Sequence, residues 1–94
     1  MVQVRWNIEK AKSLLANKDR EGVSFEECVV ALEEGRVLDD LQHPSRENQR
    51  ILVLDINGYA HVVPYVREED GTHFLKTVFP SRKYHAKYLG KTNP

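Results

Sequence analysis

Residues 50–66 read RILVLDINGYAHVVPYV, two aliphatic and β-branched runs joined by Asn57–Gly58. A type I′ turn needs positive φ at both central residues, and Asn followed by Gly adopts that geometry at the least steric cost. The dipeptide therefore commits the middle of the chain to a β-hairpin. Pro64 cannot donate a ladder hydrogen bond, so the return strand is expected to meet an edge or a bulge there. The rest of the chain has to be arranged around this hairpin.

Upstream, the apolar spacing is helical. In WNIEKAKSLLANK the residues Ile8, Ala11, Leu14 and Leu15 recur at helical intervals, Asn7 can cap the N-terminus and Glu9 suits the positive end of the helix dipole. DREG, with Gly22, is expected to end this helix. A second begins in VSFEECVVALEEG, where Ser24 and Glu27 form a capping box and Val23 can staple onto Cys28. Its buried stripe is expected to be Phe25, Cys28, Val29 and Leu32, with Gly35 closing it. RVLDDLQ then reads as a weak strand and HPSRENQR as a polar loop. Downstream of the hairpin, REEDGT turns the chain into a last strand, HFLKTVF. Pro80 stops that strand, Ser81 can cap a short helix RKYHAKYL, and Gly90 ends it.

Strands that follow one another through tight turns pair antiparallel. The expected class is α+β: two N-terminal helices packed on one face of an antiparallel β-meander of about four strands, followed by a short C-terminal helix. This makes two layers with the second sheet face left open. A chain of 94 residues allows one domain, 1–94, with one modest core. No apolar run approaches the ~20 residues of a membrane span, and no secretion signal is apparent. A single cysteine, Cys28, excludes an internal disulfide, and no Cys/His spacing suits a structural zinc site. A cytoplasmic protein without cofactor or metal is expected.

The net charge of zero conceals an asymmetry. Residues 73–94 carry five bases (Lys76, Arg82, Lys83, Lys87, Lys91) and no acid, whereas residues 1–72 carry nine bases and fourteen acids. A basic end of this kind suits a polyanion or an acidic partner. A solvated, basic helix face is the plainer alternative.

The opening RWNIEKAKSLLANKDREGVSFEECVVALEEG resembles the start of BrnT-type toxins, in which an aromatic residue, a lysine-containing helix and GVSFEEA follow in order. The end, FLKTVFPSRKYHAKYL, resembles the last strand and the SAR-K turn of the same family. The resemblance covers nearly the whole chain. It departs from the family at Lys76–Thr77, where arginine is usual, and in the acid-free helix of Tyr84, His85, Lys87 and Tyr88. It implies a RelE/ParE-like toxin of a type II toxin–antitoxin pair, a metal-independent endoribonuclease that cleaves messenger RNA and inhibits translation. The implied partners are RNA, the ribosome and a cognate antitoxin, a small ribbon-helix-helix DNA-binding protein. A non-catalytic RNA- or protein-binding module, or a ParE-like inhibitor of gyrase, fits the same residues.

Metal-free RNA cleavage needs a base for the 2′-hydroxyl proton, an acid for the leaving oxygen and a cation for the phosphate. Arg82 offers a bidentate fork, and Lys76 and Lys83 offer point charges. His85 and His61 carry imidazoles able to take or give a proton, and Arg50 falls near a family arginine. Lys76, Arg82, His85 and Arg50 are thus the catalytic candidates. Lys83 and Lys87 are candidates for RNA contacts, and Tyr84, Tyr88 and Tyr65 for stacking on splayed bases.

Overall fold

The computed structural model describes residues 3–16 and 23–90. Their order is β1 (Val4–Trp6), α1 (Ile8–Ala16), α2 (Phe25–Glu33), β2 (Val37–Gln42), β3 (Arg50–Ile56), β4 (Tyr59–Arg67), β5 (His73–Leu75), β6 (Phe79–Pro80) and α3 (Arg82–Tyr88). The class is α+β as expected, with a six-stranded mixed sheet in the order β1-β5-β4-β3-β2 and β6 also on β4. The pairs β2–β3, β3–β4 and β4–β5 are antiparallel. β1, which helical periodicity in the opening segment did not reveal, runs parallel to β5.

The local signals fold as their chemistry requires. Asn57 (φ 58°) and Gly58 (φ 80°) are both left-handed, and they join Ile56 directly to Tyr59. Asn7 Oδ1 accepts from the Lys10 amide at 3.1 Å and caps α1. Ser24 Oγ accepts from the Glu27 amide at 3.3 Å while Glu27 Oε2 accepts from the Ser24 amide at 3.1 Å; such caps are worth about 1 kcal/mol each. Gly35 (φ 73°) ends α2, its amide donating to the Leu32 carbonyl and that of Arg36 to the Ala31 carbonyl, as in a Schellman motif. The expected stop at Gly22 lies outside the described residues. Gly90 is not left-handed; α3 ends at Leu89, whose amide donates to the His85 carbonyl.

Pro64 sits mid-strand with no bulge in the β3–β4 register. Its carbonyl accepts from the Lys76 amide at 2.8 Å, so its nitrogen also points towards the far edge of β4. That edge pairs with β5 only at Tyr65–Arg67 and with β6 only at His61–Val62. Pro64 falls in the seam between them, a local edge inside a central strand. The expected single strand HFLKTVF is for the same reason two short strands. The segment between them leaves the sheet far enough for Val78 to join Leu75 in the core, against strict alternation.

The two faces of β3 explain the layering. Leu52, Leu54 and Ile56 join Val63 and Tyr65 of β4 beneath Val23, Phe25, Cys28 and Ala31, with Ala11 and Leu14 of α1 partly buried on the same core. Ile51 and Val53 face the other way, with Ala60 and Val62, beneath Tyr84, Tyr88 and Leu89 of α3. The expected open second face is therefore partly covered. A strand with four consecutive buried residues, Ile51 to Leu54, needs cover on both sides. Deleting one of these fully buried side chains, as in Leu54→Ala, would cost about 2–5 kcal/mol. Ile8 and Leu15, expected in the α1 stripe, are exposed.

Candidate functional site

The hairpin and the last helix meet at the start of β4. β6 sets Pro80 opposite His61 and Phe79 opposite Val62. The Ser81 amide then donates to the Ala60 carbonyl at 3.0 Å, and Ser81 Oγ accepts from the Tyr84 amide at 3.2 Å. The chain so turns from β6 into α3 directly beside the Asn57–Gly58 turn. A cavity of about 550 Å³ opens there, lined by Val23, Ile56, Asn57, Tyr59, His61, Pro80 and Arg82.

Two histidines flank one tyrosine at this point. The Tyr59 ring stacks on His85 (centroids 4.0 Å apart, 10° between planes) and meets His61 edge-on at 6.1 Å. His61 is buried, and its Nδ1 lies 2.9 Å from the Tyr59 carbonyl. A proton on Nδ1 satisfies that carbonyl and leaves Nε2 as an acceptor. In His85, Nδ1 accepts from the Ala60 amide at 3.4 Å, which puts the proton of the neutral ring on Nε2. The backbone thus selects opposite tautomers in the two rings. Arg82 is exposed and, among the described residues, forms no ion pair.

The expected site is brought together only in part. Arg82 lines the cavity, while His85 braces the Tyr59 ring and is not on the cavity wall. Lys76 is elsewhere. It lies beside Pro64, whereas Arg82 follows the partner of His61; three residues of β4 separate the two, roughly 10 Å. Its ammonium sits 5.4 Å from the centroid of Phe74.

Arg50 belongs to a network at the opposite end of β4. Its Nε donates to Asp40 Oδ1 at 3.0 Å and its Nη2 to the Asp40 carbonyl at 3.1 Å. The Tyr65 hydroxyl donates to the same carboxylate at 3.0 Å, and Arg67 lies 3.9 Å from it. The hydrogen bond to Asp40 raises the Arg50 pKa. Burial, then Asp40, raises that of Tyr65. Tyr65 is wholly buried with its ring stacked on His73 at 4.3 Å, so it has no face for an incoming base, contrary to expectation. Tyr84 and Tyr88 stack on each other at 6.2 Å and anchor α3 on the sheet. The Tyr88 hydroxyl donates to Asp39 Oδ2. Lys83 and Lys87 lie over these two rings at 5.3 and 5.4 Å, which makes the tyrosines supports for cations more than free stacking surfaces.

Tyr59 and Asn57 were not among the sequence candidates. Tyr59 and His61 share a face by strand alternation, and that signal was readable. The pairing of His61 with Pro80, which brings Arg82 to them, is a long-range contact that no local pattern encodes. No protein-family model, no curated protein and no solved structure matches the chain.

Proposed function

We propose that this chain is a toxin of the BrnT type, a metal-independent endoribonuclease that cleaves messenger RNA and so inhibits translation in the cytoplasm. On this reading the fold is RelE/ParE-like, with α1 and α2 over one face of the antiparallel run β2 to β5. The observation that carries it is the convergence on one cavity of His61, Tyr59 and Arg82, which forms no ion pair among the described residues, beside a helix bearing Lys83 and Lys87 and no acid.

The roles follow from the groups. Arg82 holds the phosphate and stabilises the charge that develops on it. His61 Nε2 takes the proton of the 2′-hydroxyl, whose oxygen forms a bond to phosphorus. The bond from phosphorus to the 5′-oxygen breaks, and the Tyr59 hydroxyl supplies that oxygen's proton. The products are a 2′,3′-cyclic phosphate and a 5′-hydroxyl end. His85, stacked on Tyr59, is a positioning residue. An antitoxin of the ribbon-helix-helix kind, presenting an acidic segment, would cover the basic α3 surface.

The test is incubation of the purified chain with single-stranded RNA in a chelator. Cyclic-phosphate ends, and no cleavage of an oligonucleotide with 2′-deoxyribose at every position, are expected. Intact RNA, with growth arrest and DNA damage in cells expressing the chain, would replace this reading by the gyrase-directed one.

A further inference from the structure

α3 covers only half of its side of the sheet. The other half is formed by β1, β5, β6 and the outer edge of β4. Arg5 sits beside Phe74, and Phe74 beside Val66. Lys76 follows at Pro64, and Phe79 stands opposite Val62. This surface is open: Phe79 is 46% exposed, Arg5 and Lys76 are exposed, and Phe74 is half-buried.

Its chemistry is specific. Two cations lie against Phe74, the Arg5 guanidinium at 5.3 Å and the Lys76 ammonium at 5.4 Å from the ring centroid. Glu68 receives Arg5 Nη1 at 3.0 and 2.9 Å on its two oxygens and fixes the guanidinium in place. Lys76 has no ion pair among the described residues. An apolar protein surface would gain little from an exposed Phe beside an unpaired lysine. Single-stranded nucleic acid uses both, because bases stack on aromatic rings and on guanidinium planes while phosphates take the ammonium.

We infer that this open half-sheet is a stacking platform for single-stranded RNA. Four residues of β4, roughly 13 Å, separate the positions of Phe74 and Phe79, so a base stacked on the open Phe79 ring and a phosphate held by the cations at Phe74 would belong to different nucleotides. The platform extends the ribonuclease reading, yet it can stand without it, since binding needs no cleavage.

The experiment measures binding of the full chain to a fluorescein-labelled ten-nucleotide 2′-O-methyl RNA, which cannot be cut, and to its duplex. Phe79→Ala is expected to weaken single-strand binding roughly tenfold and Phe79→Trp to retain it. Lys76→Ala should lower the salt slope by about 1. Duplex binding should be weaker than single-strand binding. Circular dichroism confirms that each variant is folded. Phe79 and Lys76 variants that bind like the parent chain, or equal affinity for duplex, would overturn the platform. So would a parent chain that ignores the oligonucleotide, as expected if the face docks a protein. If the parent chain binds through Phe79 but never cleaves unmodified RNA, the platform holds and the ribonuclease reading fails. Cleavage with binding indifferent to Phe79 gives the reverse.

Discussion

Tyr59 lies flat on His85, with ring centroids 4.0 Å apart and planes within 10°. This contact ties the first residue of β4 to the middle of α3, so the hairpin and the helix carrying Arg82 hold each other in register. A stacked pair of this kind contributes about 0.5–1.5 kcal/mol beyond its buried area. Tyr59→Ala is expected to lose at least that stability in urea and to lose RNA cleavage. Tyr59→Phe keeps the ring and should keep the stability, yet cleavage should fall by about a hundredfold if the hydroxyl supplies the proton. A Phe variant with full activity would remove the hydroxyl from the mechanism.

The stack of His73 on Tyr65 makes stability depend on pH. Burial holds the His73 pKa below its ordinary value, which is about 6.5 in an unfolded chain. Below that pH the unfolded state binds more protons than the folded one, so stability falls as the pH drops from about 7 through the folded-state pKa. Asp39 and Asp70, whose pKa values are lowered by hydrogen bonds from Tyr88 and from the Thr72 amide, act in a separate window. Their contributions fade only below about pH 4. His73→Phe keeps the stack and cannot titrate. Its melting temperature should vary less than that of the parent chain between pH 7 and 5.

Tyr88 fastens α3 to β2 through Asp39, whose hydrogen bond pushes the Tyr88 pKa up to about 12. The neutral hydroxyl is the stabilised form, so its contribution is complete below the unfolded value of about 10 and is lost as pH rises towards the folded one. An alkaline ultraviolet titration should show late-ionising tyrosine. Tyr88→Phe should remove part of it, and Asp39→Asn should shift that part back towards 10. No change in the Asn variant would mean that the hydroxyl points elsewhere in solution.

Cys28 offers a clean measure of opening. It is fully buried in the α2 core, and burial, reinforced by Glu27 and Glu26, pushes its thiol up to about 12. The thiolate is the reactive form. At pH 8 the folded chain should resist Ellman's reagent and react only as fast as it opens, with one thiol per chain appearing at once in denaturant. Immediate labelling of the native chain would show that α2 is not seated on the sheet.

Much of this architecture was legible because it rests on local chemistry. Asn57–Gly58, the Ser24/Glu27 capping box and the Gly35 stop each act within a few residues, and each formed as read. The run Ile51–Leu54 puts two aliphatics on each side of the sheet by alternation, a signal that the expectation of an open second face passed over. What the sequence hid depends on distant pairing. β1 gains its ladder only from β5, the seam at Pro64 exists because two strands share one edge, and His61 meets Arg82 only through β6. The acid-free block at the end puts Arg82, Lys83 and Lys87 on the surface of α3. The sequence reading set Lys76 and Arg82 side by side, whereas the break after Leu75 leaves their places along β4 three residues apart.

That separation gives the last prediction. Arg82 begins α3, where a cation opposes the helix dipole. Replacing it by alanine removes an unfavourable contact as well as an exposed side chain, so stability should stay within about 0.5 kcal/mol of the parent chain or rise slightly. On the proposed mechanism the transition state, in contrast, loses the group that meets its developing charge, at a cost of roughly 3 kcal/mol or about a hundredfold in kcat. Lys76→Ala leaves the cavity untouched and weakens only the approach of the strand. Its cost should therefore appear in KM, with kcat within about twofold of the parent chain, because binding shared by ground and transition states does not change the chemical step. Single-turnover and steady-state cleavage of one short RNA by the two variants distinguishes these outcomes. Equal losses of kcat in both would return Lys76 to the reacting phosphate, and a fully active Arg82 variant would move the reacting centre away from the cavity beside the hairpin.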